Sequence, residues 1–321
     1  MTDSSTTNPR IWVRDITQEA IKHFAWGIGD NNPLWLPTNN SAAFAPPCIL
    51  YAVHETTVAP GMKDHRRIYR SADWTWFQKI PLNTEISTAI ELLQTKTKGN
   101  LISQIGRVEY SMNTKEKLAE AIVQCERTSD ETLLEDDYDP YKYSSTELQE
   151  IEESILSESR KSDIPKLWEK TKVGESLGTL TKGPLSIMDI VAWSAGTTGV
   201  PATNDEVSEG GLLVESTTGP QITSWLAQLA TDWIGEEGFL HRLNVHLIKL
   251  PKLGSTTIIS GELSTKYRVE SYHLAEVKLT ARDFSGREIA NGLALIFLPT
   301  NNAPIRLPLE EKFSFNSAGK S

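Results

Sequence analysis

A short loop near the start of the chain carries the side chain best suited to acid–base chemistry. Residues 29–34 read Gly-Asp-Asn-Asn-Pro-Leu, which places Asp30 two positions before Asn32. In a partly desolvated pocket an aspartate has a pKa above about 3.9, and it can then act as an acid or a base. The alternative is that Asp30 only holds the local turn through the backbone. We expect Asn32 to hold the loop by side-chain hydrogen bonds, with a catalytic role as its alternative.

Two side chains that follow a proline pair could join this chemistry. His54 lies in a segment expected to form a helix, and it could supply a base if it faces a pocket. The alternative is a histidine satisfied within the core. Cys48 lies near the N-terminus of the same segment, where a thiolate is stabilised, so that a nucleophilic role is conceivable. For Cys48 the alternative is a small buried apolar residue.

Other polar residues are candidates for binding a ligand. Gln221, just inside a second expected helix, could bind a carbonyl group, and capping of that helix is the alternative. Asp205 and Glu206 could supply a carboxylate across an interface, or they could be solvated loop acids. His241 and His246 are five positions apart on an expected strand, so their side chains should point to opposite faces.

The densest basic cluster is the other binding candidate. It consists of His65 with Arg66, Arg67 and Arg70, and it could hold phosphate groups through charge-assisted hydrogen bonds. A solvated loop is the alternative. We find no His/Asp/Glu spacing typical of a metal site and no phosphate-binding glycine-rich loop, so we expect no metal and no resident cofactor.

The composition excludes several classes of function. The 321 residues carry a net charge of −10, which argues against a nucleic-acid partner because phosphate binding needs clustered Lys and Arg. Two cysteines are too few for a disulfide framework, and a reducing compartment fits. We find no apolar run of about 20 residues and no apolar signal-peptide segment near Met1. We therefore expect a cytoplasmic protein that binds a small molecule and no membrane.

An internal repeat organises the chain. Three strands are expected at about 85–97, 101–113 and 117–128, and three more about 170 positions later, at 256–269, 273–283 and 288–299. A helix candidate precedes each trio: one lies between Pro46-Pro47 and Pro60-Gly61, and the other between Gly219-Pro220 and Gly235. One helix followed by antiparallel strands, twice over, indicates an α+β fold.

The repeat also divides the chain. We expect an N-terminal unit at 1–135, an acidic linker with a helix near 144–159 at 136–175, a C-terminal unit at 176–300 and a polar tail at 301–321. The linker should carry the chain from one unit to the other.

The loop at 29–34 resembles the catalytic signature of MaoC-like, R-specific enoyl-thioester hydratases and dehydratases. Similar segments include Ala45-Pro46-Pro47, residues 74–77, residues 182–185 and the helix from Gly219 to Gly235 with its Gln221 and Trp225. Together they cover most of 11–299. The resemblance implies a fused double hotdog, in which two sheets wrap around central helices and lie side by side with a thioester tunnel between them. It also implies a coenzyme A or carrier-protein thioester as substrate, whose phosphates the basic cluster could hold.

In that family an Asp and a His on the loop handle a water molecule and a proton. Dehydration needs a base for the α-proton, an acid for the leaving hydroxyl and donors for the thioester oxygen. The helix N-termini near Cys48 and Gln221 are the candidate donors. The sequence departs from the family at the histidine, because Trp35 stands at that position. The matching stretch 195–206 has no His either, and Val200 replaces its Asp.

Three functions remain open after this departure. The first is an acyl-thioester hydratase or dehydratase with Asp30 as acid/base, aided by a substitute such as His54, and with Trp35 beside the substrate. The second is a repurposed hotdog enzyme, a cyclase, isomerase or dehydratase, that acts on a bulky natural-product intermediate. The third is a non-catalytic subunit that pairs with an active hotdog partner. A homodimer is a further possibility for the assembly.

Overall fold

The computed structural model describes residues 15–35, 44–54, 56, 65–130, 141–158, 165–197 and 218–307, with Arg66 described by its backbone alone. The strands in these ranges are β1 (Phe44–Ala45), β2 (Arg66–Trp76), β3 (Ile80–Pro81), β4 (Ile86–Lys98), β5 (Leu101–Met112), β6 (Lys117–Thr128), β7 (Ser176–Lys182), β8 (Phe239–Leu247), β9 (Thr257–Val269), β10 (Tyr272–Asp283) and β11 (Glu288–Phe297).

Nine of these strands form one antiparallel sheet in the order β4-β5-β6-β2-β8-β11-β10-β9-β7, and β1 pairs with β3 separately. The predicted repeat is confirmed. The strand β4 begins at Ile86 and its counterpart β9 at Thr257, a separation of 171 positions that the next two strands of each half repeat. The six predicted strands end within two residues of the observed ends. Their period-2 alternation of buried and partly buried side chains, clear along β5 and β6, explains this agreement.

The two halves of the sheet join where β2 pairs with β8. Trp74 lies opposite Leu243 in this pair, and Asp73 accepts two hydrogen bonds from the Arg242 guanidinium. Trp74 is fully buried and stacks on Trp76, with ring centroids 5.3 Å apart. The seam is therefore part of the core and not a loose contact between separate units.

The helices are α1 (Gln18–Gly27), α2 (Leu50–Val53), α3 (Ser145–Ser157), α4 (Ile187–Gly196) and α5 (Gly219–Ile234). Helix α5 is the central helix of the second half. It packs on strands β7 to β11, and every residue except Asp232 is buried. Its predicted limits are confirmed, because Pro220 occupies its first turn and Gly235 follows its end at a φ of 66°.

The central helix of the first half is much shorter than predicted. A 3₁₀ turn (Pro47–Ile49) leads into the single turn of α2, and the chain is already extended at His54. The expectation that the helix continues toward Pro60, with His54 inside it, is therefore wrong. The cause is local: the Nδ1 of His54 accepts a hydrogen bond from the backbone N–H of Thr56, and Thr56 has a φ of 65°. Neither feature is compatible with a continuing helix.

Helices α1 and α4 are counterparts in the repeat and pack against each other. Gly27 ends α1, and a Cβ there would lie 2.9 Å from the carbonyl oxygen of Ala192. Gly196 ends α4, and a Cβ there would lie 2.5 Å from the carbonyl oxygen of His23. The two glycines thus permit α4 to approach closely to α1, the helix that leads into the loop with Asp30.

The linker helix is confirmed as α3. Ser144 caps it, together with Glu147, in a capping box, and its buried Ile151 faces the sheet edge at β7. The proposed unit boundaries at 135 and 175 stay a prediction. No helix in the described ranges is long and apolar enough to cross a membrane.

Candidate functional site

The loop after α1 holds the carboxylate of Asp30 in the interior. Asp30 is only 1 % exposed. Its Oδ1 accepts a hydrogen bond from the backbone N–H of Asn32 at 2.9 Å, and its Oδ2 accepts one from the indole Nε1 of Trp35 at 2.7 Å. Gly29, with a φ of 62°, makes the turn that brings the backbone N–H of Asp30 to the carbonyl of Ala25. Asp30 therefore holds the local turn, and its carboxylate is at the same time buried.

Asn32 connects this loop to the central helix of the second half. Its Oδ1 accepts a hydrogen bond from the backbone N–H of Leu34 at 3.0 Å, which fixes the loop as predicted. Its Nδ2 donates to the Oδ1 of Asp232 at 2.7 Å. Asn32 thus stands between two carboxyl groups, one on each half of the molecule.

Sequence reasoning missed the role of Asp232. The signal was present, because an acid in the last turn of a helix opposes the helix dipole and needs a partner. It also missed Lys182 on β7, whose Nζ donates to the carbonyl oxygens of Ile28 at 2.9 Å and Gly29 at 3.0 Å. This cation holds the loop from the other half of the chain.

A cavity lies where the two halves meet, beside Trp35. Its volume of about 40 Å³ has room for one or two water-sized groups. The first half contributes Trp35, Phe44 and Trp76 to its wall, and the second half contributes Thr231 and Phe239. The walls are mainly aromatic and aliphatic. The carboxylate of Asp30 lies behind Trp35, because that side chain both lines the cavity and donates to Asp30.

The histidine and the cysteine proposed from the sequence are both buried. The ring of His54 is buried beside Thr56, and its carbonyl accepts a hydrogen bond from the hydroxyl of Tyr110 at 3.0 Å. A catalytic role of His54 stays a prediction. Cys48 is buried at 2 % exposure, and burial raises the pKa of its thiol to about 12, against a weaker opposing effect of its hydrogen bond to Ser224. Burial therefore opposes a thiolate at neutral pH and favours the apolar alternative for Cys48.

The candidate donor at the N-terminus of α5 is committed to capping, whereas no side chain caps the 3₁₀ turn that carries Cys48. The backbone N–H of Gln221 donates to the Oγ1 of Thr218 at 3.2 Å, and Pro220 has no N–H. Pro47 likewise opens the 3₁₀ turn before Cys48. The side chain of Gln221 is buried, and its role in ligand binding stays a prediction.

The basic cluster lies on strand β2 and not on a loop. Arg70 forms an ion pair with Glu126 at 2.6 Å, and Arg67 is partly buried. The side chain of Arg66 and all of Asp205 and Glu206 lie outside the described residues, as does most of 195–206. Phosphate binding by Arg67 and Arg70 stays a prediction.

A buried histidine at the seam was not singled out as a site residue. His241 is fully buried on β8, whereas His246 on the same strand is exposed, which confirms the opposite faces. The Nδ1 of His241 lies 2.8 Å from the carbonyl oxygen of Trp76. Burial lowers the pKa of His241 to about 4, helped by the neighbouring Arg242 and opposed by the Trp76 carbonyl. The ring is therefore neutral at neutral pH and donates to that carbonyl.

Comparison with known proteins identifies the fold. No protein-family model matches the sequence, and no curated protein matches it. Among solved structures, a MaoC-like dehydratase is similar at a TM-score of 0.64 with 15 % identity, over 92 % of this chain and 97 % of that one. A protein described as a MaoC domain dehydratase from Chloroflexus aurantiacus J-10-fl is similar at 0.64 with 11 % identity, over 94 % and 100 %.

A third similar structure is a Mycobacterium tuberculosis protein described as having a double hotdog fold. Its TM-score is 0.58 at 10 % identity, over 90 % of this chain and 94 % of that one. The chain is therefore a double-hotdog protein of the α+β class, with the fold seen in MaoC-like dehydratases. At these low sequence identities the structural similarity establishes the architecture alone, because one fold can host different reactions.

Proposed function

We propose that the chain is a lyase of the hydratase/dehydratase type that acts on an acyl thioester, with Asp30 as its acid/base. The observation that carries this proposal is the Asp30–Asn32–Asp232 arrangement, in which a retained loop of one half meets the central helix of the other beside an apolar cavity. The similarity to structures described as MaoC-like dehydratases supports the reaction class.

The chemistry requires a proton to move at two positions of the substrate. Dehydration removes the α-proton and expels the β-hydroxyl as water, and hydration reverses both steps. In this proposal the carboxylate of Asp30 is the base, and the hydrogen bonds from Asn32 and Trp35 hold it in position. Asp232 supplies a second carboxyl group at the site, and the Asn32 amide fixes its position. Trp35 closes the cavity on the side where the family pattern has a histidine, so its ring must shift for substrate to reach Asp30.

The proposal is tested by turnover of a panel of enoyl- and 3-hydroxyacyl-thioesters, measured by mass spectrometry. We expect Asp30→Asn to lower kcat/KM at least about a hundredfold, the effect typical of removing an acid/base. The matched control is Asp283→Asn. Asp283 is equally buried at 4 % exposure and accepts hydrogen bonds from Ser285 and Arg287, but it lies at the end of β10 away from the loop. Unchanged turnover in Asp30→Asn would show that Asp30 is not the acid/base of the reaction.

A second candidate is a repurposed enzyme that acts on a bulky intermediate with no thioester. The observation that favours it is the wall of the cavity, to which Trp35, Phe44 and Trp76 contribute aromatic rings. Failure of coenzyme A esters to bind, together with turnover of a free hydrophobic substrate, would select this candidate. Activity that appears only when a second hotdog protein is added would select the non-catalytic subunit instead.

A further inference from the structure

The cavity beside Trp35 has a side chain in its wall that the proposed function does not use. Among the described residues that line the cavity, Lys79 is the one that carries a charge. It lies between β2 and β3, and the side chains around it in the wall are aromatic, aliphatic or uncharged. An amine beside an apolar cavity can act as a nucleophile, because desolvation favours its neutral form.

Two contacts hold the amine of Lys79 where the two halves meet. Its Nζ donates a hydrogen bond to the carbonyl oxygen of Glu236, in the turn after α5. The same atom lies 4.3 Å from the centroid of the Phe44 ring, which belongs to the cavity wall. An ammonium that loses one of its three protons keeps two N–H donors and gains a lone pair. The neutral amine can therefore retain the bond to Glu236 and still react.

The charges around Lys79 favour a neutral ligand over an anion. Burial lowers the pKa of Lys79 below its ordinary value, against weaker opposing effects of Glu236 and Glu237. Both glutamates are exposed, in the turn between α5 and β8. Their carboxylates repel an anion but stabilise a positive charge that develops on the nitrogen of Lys79. The face of the Phe44 ring stabilises the same charge.

We propose that Lys79 forms an imine with a small aldehyde or ketone bound in the cavity. The neutral Nζ adds to the carbonyl carbon and forms a C–N bond. The carbonyl oxygen takes up both N–H protons of the amine and leaves as water, which gives a C=N double bond. The cavity volume of about 40 Å³ limits the compound to a few non-hydrogen atoms. The protonated imine withdraws electrons from the neighbouring carbon, so that the α-proton of the bound compound becomes removable.

The test is reductive trapping of the imine with ethanal and sodium cyanoborohydride at neutral pH, followed by peptide mass spectrometry. Reduction converts the imine into a stable N-ethyl amine. Lys249 is the matched internal control, because it precedes Leu250-Pro251 as Lys79 precedes Ile80-Pro81, but it does not line the cavity. Because the cavity holds the aldehyde beside the amine, we expect Lys79 to be ethylated at least about tenfold faster than Lys249. Equal rates at the two lysines would overturn the proposal.

A larger aldehyde tests whether the cavity selects the carbonyl compound. Benzaldehyde reacts with amines in the same way, but its ring is too large for a cavity of about 40 Å³. The preference for Lys79 over Lys249 should therefore disappear with benzaldehyde. An undiminished preference would show that Lys79 reacts outside the cavity, which would contradict the proposal.

A pair of substitutions separates the reaction from the fold. Lys79→Arg keeps the positive charge and a donor for the Glu236 carbonyl, but a guanidinium stays protonated and cannot form the imine. With limiting ethanal we expect the first ethylation of the intact protein to slow at least about tenfold in Lys79→Arg and to stay unchanged in Lys249→Arg. Urea denaturation shows that both variants are folded. A first ethylation that stays fast in Lys79→Arg would assign the reaction to another lysine.

The imine site and the lyase activity fail separately, because neither Asp30 nor a thioester takes part in the trapping. Selective ethylation of Lys79 without turnover of thioesters keeps the imine site and removes the lyase activity. Turnover of thioesters without selective ethylation keeps the lyase activity and removes the imine site.

Discussion

At the scale of single residues, the molecule combines polar groups whose roles differ although all are buried. The carboxylate of Asp30 accepts hydrogen bonds from Asn32 and Trp35, burial raises the pKa of the Cys48 thiol, and burial lowers the pKa of His241 at the seam. Burial alone therefore does not mark a reactive group. The desolvation of each group and its hydrogen-bond partners together decide which of these side chains can exchange a proton with a substrate.

His241 gives a prediction about acid stability. Its pKa is about 4 in the folded protein and about 6.5 when exposed. Between these values the unfolded chain binds a proton that the folded chain does not. The free energy of unfolding therefore falls as the pH drops from 6.5 to 4, by about 1.4 kcal/mol per unit and about 3 kcal/mol in total, and this loss ends below pH 4.

The measurement is urea denaturation at several pH values between 7.5 and 4. His241→Asn should show a shallower decline than the original protein, whatever its own stability at pH 7.5. His246→Gln is the matched control, since that residue is exposed on the same strand, and it should keep the full decline. Equal slopes in the original protein and in His241→Asn would contradict the assignment.

The candidate site itself could be predicted only in part. The sequence of residues 29–35 predicts the loop, Asp30 and the replacement of the histidine by Trp35, because these features are adjacent in sequence. The hydrogen bond from Asn32 to Asp232 joins positions 200 apart, and the one from Lys182 to Ile28 joins positions 154 apart. No local pattern contains such contacts, because they depend on how the two halves dock.

At the scale of elements, the glycine contact between α1 and α4 makes a prediction that runs against helix propensity. Alanine is more favourable than glycine in a helix by up to about 1 kcal/mol. We nevertheless expect Gly27→Ala and Gly196→Ala to lower the free energy of unfolding by about 1–3 kcal/mol, because the added Cβ meets a backbone carbonyl that cannot move easily. Gly196→Ala should cost more, since its contact is the shorter one.

Urea denaturation with Ala195→Gly as control checks this expectation. Ala195 is exposed on α4, directly before Gly196, so propensity alone should decide its effect. Relative to alanine, glycine should lower the free energy of unfolding at position 195 and raise it at position 196. Stabilisation by Gly196→Ala would show that the helices are not tightly packed.

The elements also show why the strands were predictable and one helix end was not. Strand positions follow from alternation along the chain, and short polar connectors mark their ends. The helix after Pro47 has apolar residues at helical spacing as far as Val53, and the next proline is Pro60. Its early end depends on the ring of His54 accepting from Thr56, a side-chain contact that periodicity does not contain.

At the scale of the whole molecule, the continuous sheet predicts that both halves unfold together. The seam between β2 and β8 is inside the core, and the pair formed by Asp73 and Arg242 crosses it. Tryptophan fluorescence and far-ultraviolet circular dichroism should therefore give coincident urea transitions. Arg242→Gln should move the midpoint of that single transition to lower urea. A plateau with one half folded would contradict this expectation.

The unequal central helices make the two halves of the chain depend on each other. One half has kept the carboxylate loop and a helix of a single turn, and the other has kept the long helix that receives that loop. Two copies of the first half could not rebuild the Asn32–Asp232 contact, and neither could two copies of the second. Each half therefore depends on a side chain that only the other half carries, and removal of either half would leave the remaining partner of this contact without its hydrogen bond.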